Sequence, residues 1–368
     1  MPQRAPEVSR ELFGRLGDTD VHRYVLAWPG GLTVRVLDYG GVVQSLEAPD
    51  RRGERANVVL GFRTLDDYAA NSEPGASRAF FGAAVGRYAN RIAHGTFTLD
   101  GVVHRLPVND HGHTLHGGPA GFDTKVWAAT EVEDADSVGV RLDLVSPEAD
   151  QGFPATVAAE VTYRLDRLNR LTITYRATAD APTVLNLTNH TYWNLAGEGS
   201  GDVHGQSLRL NASRFCAVDE TLIPDGDPVP VEGTPFDFRT ATPIGARVDG
   251  ADPQLRAGHG YDHNWVLDRT GGSAPSPAAQ AHDPVSGRRL TMWTTEPGLQ
   301  FYSGNHLSSD LIGTSGRPYH RRAGFALEAQ HFPNSPNRPD FPSTVLRPGQ
   351  VYHQETVFQL SAEAGEPA

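Results

Sequence analysis

The feature that most constrains the fold of this chain is a repeated alternation of apolar and polar residues with a period of two. Between residues 171 and 178, Leu, Ile, Tyr and Ala alternate with Thr and Arg, and Val157–Leu165 repeats the pattern. Successive side chains of a strand point to opposite faces of a sheet, so this alternation is typical of half-buried antiparallel strands. The same pattern predicts strands at Thr33–Tyr39, Val138–Leu144, Leu290–Thr294 and Val351–Leu360.

Turn and cap residues fit the same architecture. The pair Asp100-Gly101 separates two apolar segments, residues 97–99 and 102–106, and predicts a tight hairpin turn with positive φ angles. Helical signals are few, and the best is Thr64–Ala70, with Thr64 as the cap and two aspartates in the first turn. Many strands and few, short helices predict an all-β protein built as a large antiparallel sandwich or barrel.

The chain has 368 residues, which is long enough for two domains. It contains no repeat of fixed period and no Pro/Ser-rich linker, so we expect a single domain over residues 1–368. We expect its ends to be frayed at about residues 1–17 and 362–368. The stretch Thr270–Asp283, rich in Gly, Ser, Ala and Pro, is interpreted as an exposed loop before a strand.

Charge and hydropathy exclude several classes of partner. The net charge of −12 gives no positive footprint for nucleic acid or an anionic membrane. The longest apolar stretch, Ala79–Val85, is far shorter than the roughly 20 residues that cross a bilayer, and the N-terminal segment carries charges. We therefore expect a cytoplasmic protein. The single cysteine, Cys216, excludes an intrachain disulfide.

Segments that mix polar, glycine and aromatic residues interrupt the alternating strands. Planar amide and guanidinium groups with carboxylates match the hydroxyl pairs of a neutral sugar, and an aromatic ring can cover its apolar face. Four segments show this mixture most clearly, and two more support it: Gly86–Ile92, Thr114–Gly118, Asn186–Leu195 and Leu327–Pro333, with Tyr261–Trp265 and Gly298–Asn305.

In this order, and from about Thr33 to Leu360, the segments resemble the aldose 1-epimerase (galactose mutarotase) family. The most diagnostic match is Asn-x-Thr-Asn-His-x-Tyr-aromatic-Asn-Leu at 186–195, followed by Glu-x-Gln-x-x-Pro-x-x-Pro-Asn at 328–337. The resemblance implies a large antiparallel β-sandwich. The sequence departs from the usual family pattern at Trp193, where Phe is common, and in the extra histidines His111 and His113.

The implied reaction interconverts the α- and β-anomers of a neutral aldohexose such as galactose or glucose. One group must remove the proton of the C1 hydroxyl and another must protonate the ring oxygen, so that the ring opens to an aldehyde. The resemblance assigns the base to Glu328 and the acid to His190. It implies no metal or organic cofactor. Because opposite charges favour each other, we expect ionised Glu328 and protonated His190, and a bell-shaped pH dependence.

The resemblance also places residues around the sugar. Those expected to contact its hydroxyls and ring are Asn90, Arg91, His116, Asp262 and Gln300. Tyr192 and Phe301 are expected to form an aromatic wall. Arg91 offers a bidentate donor fork and Asp262 accepts from a hydroxyl, which orients the sugar without transferring protons.

Other functions compete with this interpretation. A non-catalytic carbohydrate-binding sandwich would keep the wall and the hydroxyl binders, but would not need both His190 and Glu328. A glycoside hydrolase would use two carboxylates, such as Asp262 and Glu328, and an epimerase for another aldose or a hexose 6-phosphate also remains open. The spacing of His111, His113 and His116 could hold a metal. The glycine-rich residues 197–201 open no predicted helix, so they do not indicate a dinucleotide site.

Overall fold

The computed structural model describes residues 6–73, 76, 78–269 and 271–363. Two α-helices are present there, α1 (Leu65–Asn71) and α2 (Pro253–Ala257). Single 3₁₀ turns occur at Ala93–Gly95, Phe122–Thr124, Asp150–Gly152, Ile244–Ala246 and Ser335–Asn337.

Strands make up most of the regular structure. The first half of the chain forms β1 (Glu7–Leu16), β2 (Thr19–Ala27), β3 (Thr33–Leu37), β4 (Val43–Pro49), β5 (Arg55–Asn57), β6 (Ala84–Val85), β7 (Arg91–Ile92), β8 (Thr96–Leu99), β9 (Val102–Arg105), β10 (Thr114–Leu115), β11 (Ala128–Glu133), β12 (Ser137–Ser146), β13 (Val157–Asp166) and β14 (Arg170–Ala179). The second half forms β15 (Thr183–Val184), β16 (Thr188–Asn189), β17 (Tyr192–Trp193), β18 (Ser207–Leu210), β19 (Arg214–Cys216), β20 (Val229–Pro230), β21 (Thr242–Pro243), β22 (Asp262–Val266), β23 (Ser276–His282), β24 (Arg288–Thr294), β25 (Gly298–Tyr302), β26 (Phe325–Gln330), β27 (Val345–Leu346) and β28 (Tyr352–Ala362).

Three large sheets carry the fold. One has the order β1-β2-β3-β4-β5, a second β11-β12-β13-β14-β28-β24-β23-β18-β21, and a third β17-β26-β25-β22-β19-β20. The nine-stranded and six-stranded sheets share one apolar core. Trp193 of β17 packs against Phe358 of β28 with ring centroids 5.1 Å apart. The predicted antiparallel sandwich is therefore confirmed.

Alternation of side chains decides which residues face this core. In β14, Leu171, Ile173, Tyr175 and Ala177 are buried, and the residues between them are more exposed, as the sequence pattern predicts. The predicted hairpin at Asp100-Gly101 joins β8 to β9, with φ angles of 49° and 80° at these two residues.

The predicted helix begins one residue after Thr64. The Thr64 hydroxyl accepts a hydrogen bond from the Asp67 amide, and the Asp67 carboxylate accepts one from the Thr64 amide. This reciprocal capping satisfies two amides that a helix start otherwise leaves unpaired.

Two sequence-based expectations about irregular segments are wrong. Glu7–Leu16 is not frayed, because it pairs along its length with β2 and places Phe13 and Leu16 against an apolar cluster. At the other end, Ala362 still belongs to β28, and residues 1–5 and 364–368 lie outside the described part.

The stretch Thr270–Asp283 is also not entirely a loop. Thr270 lies outside the described residues, but Ser276–His282 forms β23 between β18 and β24. Its small side chains fit a position in the middle of the sheet, where Ala278 and Ala281 are buried. Pairing with two neighbours outweighs the weak strand propensity of Ala and Pro.

The six-stranded sheet is covered on both faces. In β26, Phe325, Leu327 and Ala329 point into the shared core, so Glu328 points to the other face.

Among the residues that the structure describes, we find no helix with the length and apolarity that crossing a bilayer requires.

Candidate active site

A cavity of about 400 Å³ opens on the outer face of the six-stranded sheet. Strands β22, β25 and β26 form its floor, and the segments around β7, β10 and β16 form its sides. Its lining includes most of the residues that the sequence singles out, namely Asn90, Arg91, His116, His190, Tyr192, Asp262 and Glu328. Gln300 and Phe301 are not part of the lining.

His190 and Glu328 meet at the bottom of this cavity. Nε2 of His190 lies 3.5 Å from Oε1 of Glu328, and the two side chains are 6% and 2% exposed. Nδ1 of His190 and Oε2 of Glu328 make no hydrogen bond to any other described residue. The pair is therefore close enough to act on two oxygens of one small molecule.

The backbone around His190 is fixed by the segment that contains β6. The amide of His190 donates to the carbonyl of Ala83, and its carbonyl accepts from the amide of Gly82. The side-chain amide of Asn189 donates to the Gly82 carbonyl. The imidazole stacks on the ring of Tyr192, with centroids 4.9 Å apart. The Asn-His-x-Tyr part of the motif therefore fixes the position of its histidine through the contacts of Asn189 and Tyr192.

Asn186, at the start of the same motif, connects two other motifs. Its Nδ2 donates to the carbonyls of Ala89 and His331, and its Oδ1 accepts from the amide of His331. These bonds hold the segment just before Arg91 next to the segment just after Glu328. The asparagine therefore has a structural role inside a functional motif.

Burial controls the protonation of the pair. It lowers the pKa of His190 to about 4. It raises the pKa of Glu328 well above its ordinary value, with the Asp262 carboxylate adding to the rise and Arg91 opposing it. Burial therefore opposes the charged forms that the sequence analysis expects for both groups, and their mutual stabilisation stays a prediction.

His116 sits beside His190, with ring centroids 5.2 Å apart. Its Nδ1 lies 3.1 Å from the amide nitrogen of Asn90, which donates to it. Nδ1 is therefore unprotonated, and the neutral ring carries its hydrogen on Nε2. Burial also holds the pKa of His116 well below its ordinary value. His116 is thus a fixed hydrogen-bond donor.

Arg91 is positioned by Asp110, which the sequence analysis missed. Nε of Arg91 donates to Oδ2 of Asp110 over 2.8 Å, and the Arg91 side chain is 9% exposed. The terminal nitrogens make no hydrogen bond to another described side chain, which leaves the fork available to the cavity. Asp110 lies in the turn that contains His111 and His113, outside the segments that carry the resemblance, so no sequence signal connects it to Arg91.

Asp262 is held in place by a hydrogen bond from Gln300. Nε2 of Gln300 donates to Oδ1 of Asp262 over 2.7 Å. Burial raises the pKa of Asp262, whereas Arg91 and the Gln300 hydrogen bond lower it. Gln300 lies opposite Glu328 in the β25–β26 ladder, so both side chains point to the same face of the sheet. Gln300 therefore supports Asp262, while Oε1 of Gln300 has no hydrogen-bond partner among the described residues, and contact of Gln300 with a sugar stays a prediction.

Phe301 does not form the cavity wall, and this expectation is wrong. Phe301 is fully buried, and its ring packs against Tyr261 and Phe238 in the core. Tyr302, the next residue of β25, lines the cavity instead. A shift of one residue along a strand moves a side chain to the other face. The strand period could have identified Tyr302 from the sequence.

Phe80 is a second aromatic wall residue that the sequence analysis missed. Its ring centroid lies 4.7 Å from that of His116 and 5.8 Å from that of His190. Its φ angle of 53° is unusual for a bulky residue. In the sequence Phe80 belongs to an ordinary apolar stretch, so no signal marks it.

The donor sets fit proton transfer better than metal binding. His111 is exposed, and Nδ1 of His113 accepts from the His94 amide, so these two histidines do not converge with His116. Ligand atoms of His116, His190 and Glu328 do lie within 4.8 Å of one another. However, the Nε2 of His116 carries the hydrogen and has no lone pair for a cation.

Comparisons with known proteins agree with this geometry. The family model of aldose 1-epimerase matches residues 22–359. Galactose mutarotase from Rattus norvegicus is 40% identical over 356 residues, covering 96% of this chain and 98% of the rat protein. Aldose 1-epimerase from Escherichia coli K12 is 40% identical over 338 residues, covering 90% and 93%.

A solved structure gives the same result for the fold. The crystal structure of galactose 1-epimerase from Lactobacillus acidophilus superposes with a TM-score of 0.83 at 28% identity, covering 97% of this chain and 99% of that one. The resemblance seen in the motifs is thereby confirmed, and the chain belongs to the aldose 1-epimerase family.

Proposed function

We propose that this protein is an isomerase that interconverts the α- and β-anomers of a neutral aldohexose such as galactose or glucose. The observation that carries the proposal is the 3.5 Å approach of His190 Nε2 to Glu328 Oε1 inside a cavity of about 400 Å³. Relatives named galactose mutarotase and aldose 1-epimerase support the same reaction.

In the proposed mechanism, Glu328 removes the proton of the C1 hydroxyl while His190 protonates the ring oxygen. The bond between C1 and the ring oxygen breaks, and C1 becomes the aldehyde carbon. After rotation about the C1–C2 bond, the ring oxygen attacks the other face of the carbonyl. The two residues then take back and return their protons, so each cycle leaves the pair unchanged.

The reaction requires one proton on the pair, on His190 and not on Glu328. Burial favours the opposite arrangement, with a neutral imidazole and a protonated carboxyl group. Both arrangements carry the same number of protons, so a transfer within the pair interconverts them over its 3.5 Å separation. Hydrogen bonds from a bound sugar to the carboxylate would favour the reactive arrangement.

The other cavity residues orient the sugar in this proposal. Asn90, the terminal nitrogens of Arg91 and Nε2 of His116 donate to hydroxyl or ring oxygens, and Asp262 accepts from a hydroxyl. Asp110 and Gln300 hold Arg91 and Asp262 in place. The rings of Tyr192, Tyr302 and Phe80 provide apolar surface for the sugar face.

A neutral sugar fits the charges of the cavity better than a sugar phosphate. The two arginines in the lining, Arg78 and Arg91, are each paired with a carboxylate, Asp123 and Asp110. A phosphate would need cations that are free to pair with it. We further propose that the chain works as one domain in the cytoplasm, with a small sugar as its partner.

Polarimetry tests the reaction. Freshly dissolved α-D-galactose or α-D-glucose should reach its final rotation faster with the protein, and the final rotation should not change. Glucose 6-phosphate in the same assay tests the phosphate alternative. An unchanged decay rate with every aldose, together with measurable sugar binding, would instead identify a carbohydrate-binding protein.

A further inference from the structure

A row of buried amide side chains lies beside Glu328 on the cavity face of the six-stranded sheet. In the strand ladders, Gln300 is opposite Glu328 and Asn264 is opposite Gln300. Gln330 follows Glu328 by two residues, so both side chains point to the same face, about 7 Å apart. Asn264 and Gln330 belong to the sequence motifs, but the mechanism uses neither of them.

Both amides are buried without partners. Asn264 is 1% exposed and Gln330 is fully buried. Within the described residues, neither the oxygen nor the nitrogen of either amide has a hydrogen-bond partner, and the same holds for Oε2 of Glu328 and Oε1 of Gln300. Buried polar groups in native proteins are almost always satisfied, if not by protein then by ordered water.

Gly298 makes room for the side chain of Asn264. It lies between Asn264 and Gln330 in the sheet, because it pairs with Val266 on one side and Gln330 on the other. A Cβ at Gly298 would lie 2.6 Å from Oδ1 and 2.9 Å from Nδ2 of Asn264. The Asn264 amide therefore lies over Gly298, the residue that is paired with Gln330, and a side chain at position 298 would displace it.

We propose that Asn264 and Gln330 bind one or two ordered water molecules next to Glu328, and that this water donates a hydrogen bond to Oε2 and positions the carboxylate. The water site is roofed by Phe332, whose ring also touches the Gly298 position. His190 approaches the other oxygen of the carboxylate, Oε1. The two amides are positioning residues, since they reach the reacting atoms only through the water and Glu328.

This arrangement opposes the effect of burial on the base. A hydrogen bond donated to the carboxylate favours its ionised form, which the reaction requires. The other titratable or charged groups near Glu328 are Asp262, Arg91, His190, His116, Tyr192 and Tyr302. Of these, Asp262 acts in the same direction as burial and Arg91 in the direction of the proposed water.

The inference rests on the proposed role of Glu328 as the base. The test must therefore distinguish failure of the water site from failure of the base assignment. The variants Gln330→Met and Asn264→Leu keep the approximate volume and remove the amide. Gln44→Met is the matched control, because Gln44 is another buried glutamine, in β4, outside the cavity lining. Carbon-13 NMR of protein labelled at the glutamate carboxyl carbon follows the titration of Glu328, and Glu328→Gln identifies its signal.

We expect the Glu328 titration to move to higher pH by about one unit in both cavity variants, since a lost donor destabilises the charged form. Turnover at neutral pH should fall about tenfold with little change in KM, and Gln44→Met should leave the titration in place. A parental Glu328 titration in folded Gln330→Met and Asn264→Leu would overturn the inference.

A crystal structure of the unmodified protein gives a test that does not depend on variant folding. Ordered water within hydrogen-bond distance of Gln330, Asn264 and Oε2 of Glu328 is the expected result. A direct bond between the two amides with no water would contradict it. If Glu328→Gln instead keeps full activity, the base assignment fails, and that result is distinct from failure of the water site.

Discussion

Nε2 of His190 lies 3.5 Å from Oε1 of Glu328, although His190 follows β16 at one side of the cavity and Glu328 points up from β26 in its floor. Both side chains are almost fully buried. In this setting the cost of desolvating a charge is the largest cause of both pKa shifts, downward for His190 and upward for Glu328, where the Asp262 carboxylate adds to the rise. Burial therefore opposes the charged form of each partner.

Replacing Glu328 with Gln should remove the base and keep the shape of the side chain. We expect activity to fall by about 10²- to 10⁴-fold, the usual contribution of one acid–base group, while galactose binding is largely retained. Polarimetry and calorimetric titration measure the two quantities. Turnover close to that of the parent would argue against Glu328 as the base.

Replacing His190 with Asn should change the shape of the pH profile. In the parent, activity should fall at both ends, because the pair must carry one proton in total. In His190→Asn the residual rate depends only on ionisation of Glu328, whose pKa is raised, so it should rise with pH and then level off. If an alkaline decline persists, another group supplies the proton, and His116 becomes the candidate.

Replacing Arg91 with Lys should misplace the sugar without removing the positive charge. Lysine offers no planar fork, and it cannot reproduce the Nε hydrogen bond to Asp110. We expect kcat/KM to fall by about 10- to 100-fold, because a displacement of about 1 Å can cost that much. Arg347→Lys serves as the control, since the exposed Arg347 side chain pairs with Asp100 at the surface, outside the cavity lining.

Phe301 and Tyr302 should respond differently to truncation. Phe301→Ala should lower the free energy of unfolding by about 3–5 kcal/mol, as expected for a fully buried core aromatic. Tyr302→Ala should chiefly weaken sugar binding, because this ring lines the cavity. Denaturant unfolding and binding titrations distinguish the two, and a Phe301→Ala protein with parental stability would contradict the core assignment.

Dialysis against a strong chelator should leave activity unchanged, since side chains handle both protons and His116 presents a hydrogen to the cavity. The activity assay is repeated after addition of zinc. Loss of activity on chelation, with recovery on zinc addition, would show that the His116, His190 and Glu328 cluster binds a cation after all.

The sequence by itself determined the strands, because their alternating burial depends only on which side chains are apolar. Leu171 to Ala177 alternate as predicted, and the Asp100-Gly101 turn has the positive φ angles that these residues tolerate. The motifs, which place polar and aromatic residues where a plain strand would not, carry the family resemblance, and that resemblance implies the roles of His190 and Glu328. The family follows from these short patterns.

Only the tertiary structure decided which side chains share the cavity and how burial shifts their pKa values. Strand pairing made β23 from an alanine- and proline-rich segment, and a hairpin made β1 from an expected frayed end. The register of β25 turned Phe301 into the core and Tyr302 toward the cavity. Protonation depends on burial and on contacts between distant segments, so the lowered pKa of His190 and the raised pKa of Glu328 follow only from the assembled sheets.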